Sequence, residues 1–172
     1  MNEALTHFFR QYQLLTDWYL FSLADISDED GKKVIAQQTN SLEWLAGHLI
    51  TGRYRNMMRL GVKIEPYQYM DKYINQTLPP PNAVAFDTRI YYPSLTESRA
   101  QWTSYAEIFL NALKNADETI LKSDLTFQIP TGGKTIEDAL AFIIMHESYH
   151  IGQMSIIRKF LGYKSMQLVP KR

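Results

Sequence analysis

The segment His146-Glu147-Ser148-Tyr149-His150 concentrates the residue types best suited to chemistry in this chain. Histidines four apart in a helix share one face, about 40° apart around the axis, so both imidazoles can reach one ion. With glutamate after the first histidine the pattern is H-E-x-x-H, which in many metalloproteases holds zinc and supplies a general base. A zinc site needs three protein ligands or more. In the metzincin extension of the motif the next fixed residues are a glycine and a histidine. Gln153 and Ile156 occupy those positions here, and no histidine, aspartate or glutamate follows His150. The protease reading therefore fails on its ligand count, and a third ligand must come from earlier in the chain.

The chain has four histidines, so only His7 and His48 remain. His7 lies among Leu5, Phe8 and Phe9, near a terminus that is prone to fray. His48 sits mid-helix in Trp44-Leu-Ala-Gly-His48-Leu-Ile50, with Gly47 and Gly52 beside it. Glycine in a helix interior costs about 1 kcal/mol against alanine. Two of them make sense where something must come close to the helix. His48 is the favoured third ligand. The residue-level alternative is a set of buried histidines bonded to other side chains, with no ion.

The elements that must position these residues are helical. Apolar residues at three- and four-residue spacing (Leu5, Phe8, Tyr12, Leu15, Tyr19, Leu23) predict a first helix over roughly 3–24. A second is expected over about 41–60, capped by Asn40 with Glu43 and closed by Gly61. A third starts at Ser94, boxed by Glu97, and runs to about Ala116. A fourth starts near Thr135, boxed by Asp138, and ends at Gly162. SDEDG (27–31) reads as a break, and TFQIP (126–130) as at most a short extended piece. Ile136, Leu140, Ile143, Met154, Ile157 and Leu161 form a seam on the fourth helix, interrupted by Glu147 and His150, with His146 beside them. Four amphipathic helices imply an all-α four-helix bundle. The link over 62–93, with the proline triplet 79–81, is far longer than an antiparallel turn needs. It can run back along a helix of about 30 Å, giving an up-down-down-up order with a long crossover between helices 2 and 3.

Composition limits the function classes. The 172 residues suggest one domain over 1–172. Lys plus Arg and Asp plus Glu are both 18, which argues against a nucleic-acid binder. There is no cysteine, so this chain has no thiol catalysis or disulfides of its own. The first residues lack a signal-peptide pattern and the longest apolar run, 139–145, is too short to span a bilayer. A soluble, cytoplasmic protein is expected, with no nucleic-acid or membrane partner.

Trp44-Leu-Ala-Gly-His48-Leu followed by His146-x-x-x-His150-x-Gly152-Gln153, then Arg158 and Gly162, resembles the DinB/YfiT-like superfamily of bacterial metalloenzymes. Ile151 departs from the pattern, since many members carry arginine there. The resemblance implies a four-helix bundle with the long crossover, and frequent homodimers. It also implies a divalent metal, nickel or zinc, on His48, His146 and His150. The expected function is that of a metal-dependent hydrolase, or of a transferase using a low-molecular-weight thiol such as bacillithiol, mycothiol or glutathione, acting on a small-molecule substrate. The alternative is a non-catalytic, metal-binding or dimerising bundle. Glu147 is the candidate catalytic base, with hydrogen bonding to a neighbouring helix or a histidine as its other reading. Gln153 reads as a packing residue or as a hydrogen-bond donor beside the site, packing being favoured; Gly152 reads as a close helix contact, and Tyr149 as pointing away from the seam. Arg55 falls near the His48 side and Arg53 nearer the apolar stripe; either could meet an anionic substrate, though a solvated or salt-bridged arginine is the commoner outcome.

Overall fold

The computed structural model describes residues 3–75, 82–126 and 129–167. The proline triplet 79–81 and residues 127–128 of the TFQIP stretch lie outside the described residues. Among the described residues six α-helices form: α1 (Glu3–Leu23), α2 (Asp28–Gly31), α3 (Leu42–Arg59), α4 (Leu95–Asn115), α5 (Glu118–Lys122) and α6 (Ile136–Phe160). The four long ones build the bundle. The SDEDG stretch is not simply a break: Ser27 accepts from the Asp30 amide and starts the single-turn α2.

Local chemistry sets the ends. Ser94 with Glu97, and Thr135 with Asp138, form reciprocal capping boxes that open α4 and α6. α3 starts one residue later than expected, because Ser41 rather than Asn40 accepts from the Trp44 amide. Glu43 therefore takes no part in a box and is buried instead. Just past α3 and α6, Gly61 (φ 80°) and Gly162 (φ 88°) adopt the left-handed conformation that ends helices cheaply.

Contacts fix the helix directions. Along α1, Tyr12 meets Phe109 edge-on, Tyr19 stacks on Trp102 at 4.0 Å, and Leu23 O accepts from Arg99 at 3.0 Å, so α4 runs antiparallel to α1. Tyr19 Oη donates to Ala46 O and Asn56 Nδ2 donates to Tyr12 Oη, so α3 is antiparallel to α1 as well. Tyr12 Oη donates to Leu140 O, and Arg158 donates to Ala24 O, so α6 is parallel to α1. The order is up-down-down-up, with α1 and α3 each flanked by α4 and α6. α3 and α4 run the same way and require the crossover.

That crossover packs tightly in its described part. It carries a 3₁₀ turn, Met70–Lys72, and a two-residue antiparallel pair, β1 (Ile74–Asn75) with β2 (Asn82–Ala83). Tyr67, Tyr73 and Tyr92 are buried from it into the bundle. Tyr73 lies so close to α3 that a Cβ at Gly47 would come within 1.9 Å of its hydroxyl. The close approach expected of the α3 glycines is thus found at Gly47. At Gly52 it is absent, because a Cβ there would meet nothing within 4 Å.

Candidate metal centre

α3 and α6 run antiparallel, and their histidines meet at mid-length. His48 Nε2 lies 3.1 Å from His146 Nε2, which lies 3.1 Å from His150 Nε2. All three ligand atoms fall within 4.8 Å of one another. Donors about 2.0–2.1 Å from a tetrahedral ion stand roughly 3.3–3.4 Å apart, so the spacing of the two shorter edges suits one small divalent cation. The donor chemistry agrees. Each imidazole nitrogen has a single in-plane proton or lone pair, so His146 Nε2 can make one good hydrogen bond, not two. The residues present fit the ion that the sequence pattern implies. His7 is elsewhere, on the exposed side of α1, within hydrogen-bond reach (2.9 Å) of the Gln11 amide.

Burial tunes these rings. His48 is held down to about 3, chiefly by burial and then by the other two histidines. His146 is held at about 4 by burial and by His150. His150 is also lowered by burial, against which its bond to Gln153 acts. All three are therefore neutral near pH 7, the form that donates a lone pair. His48 and His146 have buried Nδ1 atoms with no partner among the described residues. His150 differs: its Nδ1 donates to Gln153 Oε1 at 2.7 Å, and Gln153 Nε2 donates to Tyr149 Oη at 3.1 Å. Trp44 stacks on His48 with ring centres 4.7 Å apart and planes 8° from parallel. Tyr73 stands behind Trp44 at 6.3 Å, so the crossover backs the ring that presents His48.

Glu147, between the two α6 histidines, faces the other way. Its oxygens accept from Arg53 Nε at 2.5 Å and Nη2 at 2.8 Å, and both side chains are fully buried. Arg53 also donates to Thr16 Oγ1 and to Tyr12 O. Its guanidinium lies 4.3 Å from the Trp102 ring centre and 5.0 Å from those of Tyr12 and Phe109. Burial pushes the Glu147 carboxyl up and Arg53 pulls it back. With a guanidinium on both oxygens the carboxyl is fully engaged.

Several expectations change. The seam centre is Glu147, while His146 and His150 are half-buried on its α3-facing flank. Arg53 takes the salt-bridged reading, as an internal partner of Glu147. Gln153 is not merely packing, since it holds His150. Gly152 is not a close helix contact, because a Cβ there would meet nothing within 4 Å. Tyr149 does point outward, 63 % exposed, but its ring lies 5.0 Å from that of His150 and its hydroxyl ends the Gln153 chain. Beside Gln153, a cavity of about 190 Å³ is lined by Ile35, Gln38, Thr39, Asn40 and Leu45 among others. The placement of Arg53 follows from its spacing: five residues past His48 is about 140° around the helix, which turns it to the core.

The DinB superfamily profile matches residues 11–154. The chain belongs to the DinB superfamily. Among solved structures, this DinB-superfamily chain is similar to YfiT from Bacillus subtilis, described as a probable metal-dependent hydrolase with an unusual four-helix bundle topology. The TM-score is 0.63 at 15 % identity, covering 95 % of this chain and 91 % of that one. At that identity the likeness establishes the fold. No curated protein matches the chain. No helix among the described residues is long and apolar enough to cross a membrane.

Proposed function

We propose that this chain is a divalent-metal-dependent enzyme that hydrolyses a small molecule, with His48, His146 and His150 holding one nickel or zinc ion. The observation that carries the reading is the convergence of three neutral Nε2 atoms, from two helices, with two of the three edges at the spacing one ion needs. When bound, the ion supplies Lewis acidity that activates water or a thiol near neutral pH. The chain's own residues set the ground for this. Trp44, backed by Tyr73, holds the His48 ring, and the Arg53–Glu147 pair fixes α3 against α6. Glu147 is assigned to positioning rather than proton transfer, since both its oxygens are occupied in the core.

Hydrolysis is favoured over thiol transfer by the description of the YfiT neighbour. The exposed apolar row Met145, Tyr149, Ile156 and Phe160 on α6 supports a homodimer, and sedimentation equilibrium checks the association. The test of function is a turnover screen of the zinc- or nickel-loaded chain against small esters, amides and electrophiles, with and without small thiols. Turnover in water alone, lost in His48→Ala, supports the hydrolase. A strict thiol requirement moves the assignment to transferase. A fully loaded protein inert under both conditions overturns the enzyme reading in favour of a non-catalytic bundle.

A further inference from the structure

Among the described residues, only one of the three rings has a protein partner on its outer nitrogen. His150 Nδ1 meets Gln153 Oε1 at 2.7 Å, and the other end of the same amide meets Tyr149 Oη at 3.1 Å. A carboxamide oxygen only accepts and its NH₂ only donates, so the orientation of this amide dictates which His150 nitrogen carries the proton. With Oε1 toward the ring, Nδ1 is protonated and the Nε2 lone pair points at His48 and His146. With the amide reversed, Nδ1 accepts, Nε2 carries the proton and the inward lone pair is gone. Tyr149 can serve either orientation, because a phenol both donates and accepts. The observed chain runs His150 to Gln153 to Tyr149.

We propose that Gln153 is a positioning residue that selects the Nδ1–H tautomer of His150, making it the pre-set ligand onto which His48 and His146 are added. The proposal rests on the three-histidine reading of the site, and it has a readout that needs no metal. His48 and His146 lack such a partner among the described residues, so His150 alone has its tautomer set from the outer nitrogen. Side-chain groups that orient a ligating histidine typically change metal affinity by about 10–100-fold when removed.

The test begins with long-range ¹H–¹⁵N spectra of the histidine rings in the metal-free, full-length chain, above the pH at which any ring is charged. Four histidines keep the spectrum assignable. His150 is expected with its proton on Nδ1, and Gln153→Ala is expected to release it toward the Nε2–H form that free side chains prefer. Zinc affinity, measured by chelator competition, should weaken by about 10–100-fold in Gln153→Ala. Gln153→Glu, whose carboxylate also accepts from Nδ1, should restore wild-type binding or better. Because Gln153 is only half-buried, these variants should fold. An Nε2–H form of His150 in the wild type overturns the proposal, as do an unchanged tautomer and unchanged affinity in Gln153→Ala. A wild type with the expected tautomer that binds neither zinc nor nickel sinks the metal site but leaves the role of Gln153 in place.

Discussion

Two polar clusters join α3 to α6 within about two helical turns, and they are built in opposite ways. Arg53 and Glu147 are fully buried, bound to each other by two bonds, and surrounded by Thr16, Tyr12, Trp102 and Phe109. His48, His146 and His150 lie nearer the edge, crowd three nitrogens together, and leave two outer nitrogens without partners among the described residues. A buried charge that is completely satisfied makes structure; unsatisfied donors that converge mark a place for a ligand. The sequence puts both clusters on the same pair of helices, and satisfaction of the polar atoms tells them apart.

The largest expected effect is on the satisfied cluster. Glu147→Ala strands Arg53 in the core and should cost about 3–5 kcal/mol in denaturant unfolding, whereas the double replacement Arg53→Met with Glu147→Leu should recover most of it. A loss below about 1 kcal/mol, the size of a surface pair, would refute the structural role. The unsatisfied cluster should behave the other way. Zinc or nickel at about 100 times its dissociation constant should stabilise the wild type by about 2.7 kcal/mol and leave His48→Ala unmoved; equal stabilisation of both by calorimetry would erase the contrast.

A third effect is pH-dependent. His48 and His146 stay neutral in the fold down to about 3 and 4, while in the unfolded chain they take protons near their ordinary 6.5. The unfolded state thus binds more protons in that window, so the metal-free chain should lose stability as pH falls from about 6.5 toward 4. His48→Ala should flatten the slope. Glu43 acts with the opposite sign: burial raises its carboxyl from 4.5 to about 7. Its contribution is present below pH 4.5 and fades as pH rises through 7, and Glu43→Gln should remove that decline. Urea titrations at stepped pH separate the two.

The brace behind His48 offers a smaller test. Gly47→Ala drives a methyl into Tyr73, which backs Trp44, so zinc affinity should fall several-fold with some loss of stability. Gly152→Ala meets open space and should gain about 1 kcal/mol from helix propensity with affinity unchanged. Comparable affinity losses in both would detach the crossover from the site.

Much of this was legible in the sequence. Ser94 with Glu97 and Thr135 with Asp138 announce two helix starts because their spacing is the mechanism of the cap. The length of the 62–93 link implies parallel neighbours because chain reach is a matter of residue number. His146 and His150 could be grouped because they share one face, and the ligand count asked for a third histidine, for which the mid-helix setting of His48 favoured it over His7. What stayed hidden depends on partners from elsewhere in the fold. Asn40 and Ser41 are both good caps, and only the chain path chooses Ser41. Glu147 could be a base or an acceptor from a neighbouring helix, and only Arg53, 94 residues away, decides for the second by taking both of its oxygens. Gln153 lies three residues past His150, a spacing that suits packing and hydrogen bonding alike. Gly152 looked like a contact only because small residues often are.

The central claim is tested most directly by the metal content of the untagged chain, purified without a nickel column, alongside His48→Ala and His7→Ala. The account predicts about one divalent ion per chain in the wild type and in His7→Ala, as a single three-ligand site requires, and almost none in His48→Ala. Full occupancy in His48→Ala, or a wild type that takes up neither zinc nor nickel when supplied, would contradict it.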